Sequence, residues 1–146
     1  MEFTGTKRTA PTPRWGEVYI CRFEGTGSEQ SGLRPAVIFQ NNVGNAHSPN
    51  VIVLPLTTSL KRKDMPTHVV VRADDTGLRR DSMVICENPV SVSKDRLGNY
   101  ITKLPREYMV KIAVASLLAT SALDPLDLDV FQAVKQQSEK LNMAAA

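Results

Sequence analysis

The stretch AVIFQNNVGNAHSPNVIVLPL, residues 36–56, contains two short apolar runs separated by a segment rich in Asn, Gly, Ser and Pro. Short apolar runs with β-branched side chains are typical of buried strands, and the polar segment between them predicts a turn or loop. Because Pro55 cannot donate a hydrogen bond to a neighbouring strand, the second strand should lie at an edge, contain a bulge or lose its regular pairing there. Thr57 then stands at the end of that strand.

Similar segments lie on both sides of this pair. A strand is predicted for WGEVYICRFE, residues 15–24, followed by a loop over residues 25–35. THVVVRA, residues 67–73, and DSMVICENPVSVS, residues 81–93, repeat the pattern, with DDTG and NP as breaks. Because strands recur at short intervals without helices between them, the chain is predicted to form a mainly β, antiparallel, barrel-like sheet.

The pattern changes after KLPRE, residues 103–107. A helix is predicted over residues 105–121, and a second helix, with Asp124 or Asp127 as its N-cap, is predicted after it. The apolar stripes of the two helices consist of Met109, Ile112, Ala113, Ser116, Leu117 and Thr120, and of Val130, Phe131, Val134 and Leu141. The predicted divisions are a disordered N-terminal arm, a barrel domain that includes the first helix, and a C-terminal extension, at residues 1–13, 14–121 and 122–146.

The composition is that of an ordinary globular protein, with 146 residues and a net charge of +3, and one domain is expected at this length. The basic excess lies in the first 110 residues, which contain 15 Lys and Arg against 11 Asp and Glu. No apolar run approaches the roughly 20 residues of a membrane span. No signal-peptide core follows the first basic residues, so we expect no membrane contact and a cytoplasmic location.

Few residues are candidates for metal or redox chemistry. Cys21 and Cys86 lie in apolar, strand-like runs without metal-ligand spacing, which predicts buried core thiols. His47 and His68 are the only histidines, and their settings are more typical of structural or solvated residues than of a catalytic pair. The sequence contains no Gly-rich phosphate loop, metal-spaced His/Cys cluster or nucleophile elbow. No metal or other cofactor is therefore expected.

A basic residue precedes the first strand of the opening stretch. In GSEQSGLRP, residues 27–35, Gly32 permits a sharp turn and Pro35 biases Arg34 toward an extended conformation. Taken alone, this pattern is typical of a turn that carries a solvated arginine. The basic run KRK, residues 61–63, is either a solvated loop or a segment that follows phosphates.

Six blocks occur in order along the chain: WGEVYICRF, GSEQSGLRPAVIFQNN, NAHSPNVIVLPLTT, MPTHVVV, GLRRDSMVICE and KDRLGNYITKLP. Together they resemble the MazF/PemK family of toxin endoribonucleases, from about Arg14 to about Ser121. The resemblance implies an SH3-like antiparallel β-barrel followed by a C-terminal helix, and a homodimer. It also implies sequence-specific cleavage of single-stranded RNA without a metal, which leaves a cyclic phosphate and a 5′-hydroxyl.

The resemblance also assigns residues. The family's catalytic arginine and threonine correspond to Arg34 and Thr57, and the Glu and Gln of its SEQ motif correspond to Glu29 and Gln30. Because a guanidinium is a poor base, Arg34 is expected to stabilise the phosphate and Thr57 to hold it. Glu29 is expected to act as the general base or to read an RNA base. Further RNA contacts are expected at Ser28, Gln30, Thr58, Ser59, Lys61, Arg62, His68, Glu87 and Asn88.

The family further implies a cognate antitoxin, which is expected to be acidic, to compete with RNA for a positive groove and to provide the only link to DNA. Two other functions remain open: a gyrase poison, since CcdB toxins have a similar barrel, and a non-enzymatic nucleic-acid-binding barrel. The chain departs from the family at Val90 and Ser91, where many relatives have Arg and Thr, so base preference and RNA affinity do not carry over. The extension either packs on the barrel or contacts a second subunit or the antitoxin.

Overall fold

The computed structural model describes residues 12–25 and 31–145. The strands in these ranges are β1 (Glu17–Glu24), β2 (Ser31–Ile38), β3 (Asn50–Thr57), β4 (His68–Val71), β5 (Ser82–Ile85), β6 (Val90–Ser93) and β7 (Leu97–Lys103). The helices are α1 (Asn42–His47), α2 (Ala73–Thr76), α3 (Arg106–Ala119) and α4 (Leu128–Ala144), and a 3-10 turn (Lys94–Arg96) joins β6 to β7. In the described part of the chain, no helix has both the length and the apolar character needed to cross a membrane. Residues 1–11 of the predicted N-terminal arm lie outside the described residues.

Strand β3 is the centre of the sheet because it pairs with three other strands. The strand order is β4, β5, β3, β2, β1, β7, and β6 also pairs with β3. Every pairing is antiparallel, which confirms the predicted sheet. Along one side of β3, pairing with β6 ends at Val53 and pairing with β5 begins at Leu56. Pro55 lies in this gap, as expected for a residue without an N–H to donate.

The predicted loop over residues 25–35 is wrong in its second half. Strand β2 begins at Ser31 and is paired with β1 from there onward, so that Arg34 lies opposite Cys21 within a strand. Gly32 adopts a φ of 80°, which glycine tolerates. Pro35 lies where β1 is the only strand registered against β2, and an edge of this kind accepts proline. The long hairpin with β1 therefore overrides the local turn preference.

The segment predicted to be a turn or loop contains helix α1, which is a correction. Asn41 caps this helix, because its Oδ1 accepts a hydrogen bond from the backbone N–H of Gly44 at 2.9 Å. Asn45 is fully buried, and its Nδ2 donates to the carbonyl of Gln40 at 2.9 Å. Strand β7 is also absent from the prediction; it pairs with β1 through two irregularities of register.

The core has two clusters of buried side chains. One includes Tyr19, Cys21 and Phe23 of β1, and the other packs beneath helix α3. The buried residues of α3 are Tyr108, Met109, Ile112 and Ala115. Met109 and Ile112 confirm the predicted stripe, whereas Leu117, at the far end of that stripe, is 37% exposed. The burial of α3 is thus greatest over its first ten residues.

Helix α4 is the second predicted helix, and its N-cap is Asp127. The Oδ1 of Asp127 accepts a hydrogen bond from the backbone N–H of Val130 at 2.9 Å. No residue of α4 is buried. The helix lies against α1, and the carbonyl of Ala145, just after its last turn, accepts a hydrogen bond from Nη2 of Arg14 at 3.3 Å. The extension is therefore attached to the barrel at its surface.

Candidate functional site

Arg34 lies in the middle of β2 with its side chain partly buried. Its Nε donates a hydrogen bond to the carbonyl of Ser31 at 3.1 Å, which orients the guanidinium along the strand. A guanidinium carries five N–H donors in a planar fork, and this bond uses one of them. Such a group can contact two oxygens of one phosphate at once.

Thr57 is the last residue of β3 and is also partly buried. Its Oγ1 accepts a hydrogen bond from the backbone N–H of Ser59 at 3.1 Å, so the chain turns sharply after the strand. A hydroxyl that accepts one hydrogen bond still has its own proton to donate. The turn therefore fixes the oxygen of Thr57 while leaving it a donor for an anionic ligand.

Arg34 and Thr57 each lie two residues beyond the last registered pair of β2 and β3, which is Ala36 and Pro55. A ladder continued in that register would place Arg34 opposite Thr57. Alternate residues of a strand point to the same face. In a regular ladder, side chains at such opposite positions have Cβ atoms about 4.5–5.5 Å apart. A cation and a hydroxyl thus flank the open end of the β2–β3 ladder.

A second group of predicted residues meets at the start of β4. The Nε2 of His68 lies 2.8 Å from Oε2 of Glu87, and its Nδ1 lies 2.8 Å from the carbonyl oxygen of Arg62. A carboxylate and a carbonyl are both acceptors, so the ring lies between two groups to which an imidazole N–H can donate. The side chain of His68 is 8% exposed and that of Glu87 is 34% exposed.

The pKa of Glu87 reflects opposing effects. Burial acts to raise the pKa, but a hydrogen bond from the residue's own backbone N–H, together with the hydrogen bond and charge of His68, holds the pKa below its ordinary value. Glu87 is therefore an ionised acceptor at neutral pH. Its remaining lone pairs are available to a donor on a ligand.

Glu87 also lines an open cleft of about 720 Å³. One wall is the end of β1, residues 23–25, and the other is the segment of residues 87–93, with Arg96 at one side. Glu24 bonds to Arg96, with Oε2 of the glutamate 2.9 Å from Nη2 of the arginine. The cleft therefore combines carboxylates with the apolar side chains of Pro89 and Val90.

The remaining predicted site residues fall into two sets. Ser28, Glu29 and Gln30 lie outside the described residues. Thr58, Ser59, Lys61 and Arg62 are exposed in the segment that joins β3 to β4, and Asn88 lines the cleft beside Glu87. His47 lies at the end of α1, on a different element from His68. The fold thus brings the backbone carbonyl of Arg62 together with the side chains of His68 and Glu87.

Sequence reasoning missed several residues of the cleft. Glu24, Arg96 and the backbone around Pro89 were not among the candidates, although all line it. Glu24 and Arg96 are 72 positions apart, and only the contact of β1 with the 3-10 turn brings them together. No pattern in the sequence predicts this ion pair. The NP break beside Glu87 was the one available signal, since it marks an exposed turn.

The cysteines are core residues, as predicted. Both are buried, and burial raises the pKa of the Cys21 thiol to about 12 and that of the Cys86 thiol to about 11. Both thiols are therefore protonated and unreactive at neutral pH. Among residues 12–25 and 31–145, no three His, Cys, Asp or Glu side chains are grouped so that they could share a metal ion.

Comparison with known proteins adds to this geometry. A family model described as a PemK-like, MazF-like toxin of a type II toxin-antitoxin system matches residues 14–118. Endoribonuclease EndoA of Bacillus subtilis (strain 168) is 36% identical over 110 residues, which cover 75% of this chain and 95% of that protein. The family match extends over strands β1–β7 and most of α3.

Solved structures give the same result. An endoribonuclease from a mycobacterial species, in complex with its cognate antitoxin, has a TM-score of 0.63 and 31% identity, over 79% of this chain and 99% of that one. MazF from Deinococcus radiodurans has a TM-score of 0.66 at 20% identity, over 75% of this chain and 96% of that one, which supports the barrel fold alone. The chain therefore belongs to the PemK-like, MazF-like toxins of type II toxin–antitoxin systems.

Proposed function

We propose that this toxin, an endoribonuclease by its family, cuts single-stranded RNA at short specific sequences without a metal ion. The observation that carries the proposal is that Arg34 and Thr57 each lie two residues beyond the last registered β2–β3 pair, Ala36 and Pro55. A phosphate seated there meets a planar cation and a hydroxyl donor at once. These are the groups that phosphate recognition requires.

The reaction requires removal of a proton from the attacking oxygen, stabilisation of negative charge at phosphorus and delivery of a proton to the leaving oxygen. The ribose 2′-hydroxyl loses its proton, its oxygen attacks phosphorus, and the bond from phosphorus to the 5′-oxygen breaks, which gives a 2′,3′-cyclic phosphate and a 5′-hydroxyl. Arg34 stabilises the negative charge that builds on the phosphorane oxygens and delivers a proton to the leaving oxygen, and Thr57 holds the phosphate. The general base is assigned to Glu29, because it precedes Arg34 by five residues.

The proposal includes two protein partners. The mycobacterial relative was solved with its cognate antitoxin, and we extend that partner to this toxin. A flexible acidic segment would be attracted by the basic excess of the barrel and would compete with RNA. The working unit is proposed to be a homodimer. An antitoxin that binds without displacing RNA would contradict the proposed competition between antitoxin and RNA.

The test of cleavage uses the purified full chain and a long RNA in the presence of EDTA. We expect discrete fragments whose 3′ ends carry a cyclic phosphate by mass spectrometry. Arg34→Ala should lower the rate by about 100- to 1,000-fold, the usual loss for a transition-state donor. Arg34→Lys keeps the charge but loses the fork, so its rate should stay well below that of the wild type. Arg106→Ala, an exposed arginine at the start of α3, is the matched control.

Each part of the proposal can be contradicted by a separate experimental result. Cleavage that needs a divalent metal would contradict the metal-free reaction, and full activity in Arg34→Ala would contradict the assigned site. Intact RNA together with arrested DNA gyrase would favour a gyrase poison. For Glu29, unchanged single-turnover cleavage by Glu29→Gln across the pH range would remove it as the base.

A further inference from the structure

The contact between His68 and Glu87 has no part in the phosphate chemistry above. It lies at the start of β4 and in the turn after β5, and Glu87 lines the cleft between the end of β1 and residues 87–93. An ion pair with one partner almost fully covered is costly unless its geometry is good and its other atoms are bonded. Both conditions are met here, because each ring nitrogen of His68 has an acceptor 2.8 Å away. The contact therefore holds the carboxylate of Glu87 in a fixed position.

His68 is held from two sides. Its Nδ1 and Nε2 each have an acceptor 2.8 Å away, and its side chain is 8% exposed. The acceptor on the Nδ1 side is the carbonyl of Arg62, whose φ is 58°. Non-glycine residues seldom adopt this left-handed conformation, which the surrounding structure must hold in place. The strained turn therefore presents its carbonyl to the ring and keeps Nε2 of His68 pointed at Glu87.

The cleft that Glu87 faces suits a nucleobase better than a phosphate. Among the described residues that line it, Arg96 is the one Lys or Arg, and it is already bonded to Glu24. A phosphate would therefore have to compete with Glu24 for this cation. Pro89 and Val90 add apolar surface of the kind that the flat face of a base can cover. An ionised carboxylate held at the wall accepts hydrogen bonds and donates none.

We infer that Glu87 is a specificity-determining residue that accepts a hydrogen bond from the amino group of one RNA base, and that His68 is the positioning residue that holds it. The inference rests on the proposed function for its substrate. Cytosine, adenine and guanine carry such an amino group, and uracil does not. The toxin therefore requires an amino-bearing base at one position of its recognition sequence.

The experiment replaces each base of the mapped cleavage sequence, one at a time, by an analogue that lacks the amino group. Purine stands for adenine, inosine for guanine and 2-pyrimidinone for cytosine. At one position, the wild type should cut the natural RNA about 5- to 150-fold faster than the analogue, the range expected for loss of one specific base contact. This ratio of rates is the readout, because a partly unfolded variant loses activity on both RNAs equally.

Two variants test the two roles. In Glu87→Gln, the amide oxygen bonds to His68 and the amide NH2 faces the base, so the ratio should fall to about one or below. In His68→Gln, Glu87 is intact but no longer held, and the ratio should also fall. The matched controls are Glu107→Gln and His47→Gln, exposed residues on α3 and α1, which should keep the wild-type ratio. An unchanged ratio in Glu87→Gln would overturn the inference.

A binding measurement separates this inference from the proposed function. The same set of RNAs is made with a 2′-deoxy sugar at the cut site, and affinities are measured by fluorescence anisotropy. RNA that is bound with the expected preference but never cut contradicts the cleavage mechanism and supports the role of Glu87. RNA that is cut and bound without preference for any amino group contradicts the role of Glu87 alone.

Discussion

Helices α3 and α4 have 14 and 17 residues and both carry apolar side chains, yet the chain uses them in opposite ways. Helix α3 buries four side chains against the sheet, whereas α4 buries none. The family match ends at residue 118, so it includes nearly all of α3 and excludes α4. An apolar stripe predicts that a helix forms, because the stripe depends on the chain alone. It does not predict burial, because burial depends on what surface the rest of the fold leaves open.

The largest effect is expected from the buried side of α3. Ile112→Ala removes a side chain with no exposed surface, and such substitutions lower the free energy of unfolding by about 2–5 kcal/mol. Leu141→Ala makes a similar change in α4, where the side chain is 42% exposed, and should cost much less. Urea unfolding of both variants gives the comparison. Equal losses would mean that α4 is as much a part of the core as α3.

A polar contact also ties α3 to the barrel. The hydroxyl of Tyr108 donates to Oδ2 of Asp75 at 2.5 Å, and Tyr108→Phe should lower the free energy of unfolding by about 1.5–3 kcal/mol, the range for a hydrogen bond to a charged group. This hydrogen bond, and then burial, raises the pKa of Tyr108 above its ordinary value. The folded state therefore favours the protonated hydroxyl, and this contribution is complete below the unfolded pKa and declines as pH rises through the folded one.

The pH dependence gives Tyr108→Phe a second readout. The wild type should lose stability on going above about pH 10, the ordinary tyrosine pKa, more steeply than the variant. Tyr100→Phe, which changes an exposed tyrosine of β7, is the control and should leave both the stability and its pH dependence unchanged. Parallel pH profiles for the wild type and Tyr108→Phe would contradict the assigned hydrogen bond.

A smaller effect is expected at the start of α4. Asp127 caps this helix through the backbone N–H of Val130, and loss of an N-cap costs about 1 kcal/mol of helix stability. Because α4 has no buried residue, Asp127→Ala should loosen the helix without moving the main unfolding transition. Hydrogen exchange should rise within α4 and stay constant in the strands. Asp124→Ala, which precedes the cap, should have neither effect.

The smallest effect on the barrel is expected from removing residues 124–146. The free energy of unfolding should change by no more than about 0.5 kcal/mol, since the removed surface is exposed. RNA cleavage should persist, because the proposed catalytic residues, Arg34 and Thr57, lie on β2 and β3. Light scattering on the truncated chain measures its subunit number in the same preparation. A loss of the dimer or of cleavage would show that α4 serves an interface rather than the surface of one barrel.

The predictable parts of the fold are those set by local pattern. The strand over residues 51–56 and the cap at Asp127 follow from apolar runs and a single side chain. Strand β2 was predicted too short because Gly32 and Pro35 suggest a turn, and only the pairing with β1 reveals a strand there. Helix α1 was missed because its cap and its buried Asn45 look like the residues of a loop.

The candidate site also has residues that the sequence could nominate and contacts that it could not predict. Arg34 and Thr57 could be chosen from the family's motifs, and His68 and Glu87 could be nominated as RNA contacts. The sequence could not show that His68 touches Glu87, since they are 19 positions apart and meet only across the β4–β5 pair. Nor could it reveal the cleft, which depends on how β1 ends beside the segment of residues 87–93.

The pairing of β3 with three strands has a consequence for the order in which the barrel can fold during synthesis. Strand β2 is already synthesised when β3 leaves the ribosome, but β5 and β6 come later, and Ser93 must be added before the last partner is complete. Long-range pairings of this kind form late, because distant segments must first meet. A nascent chain therefore lacks part of the ladder around β3 until β6 has been translated.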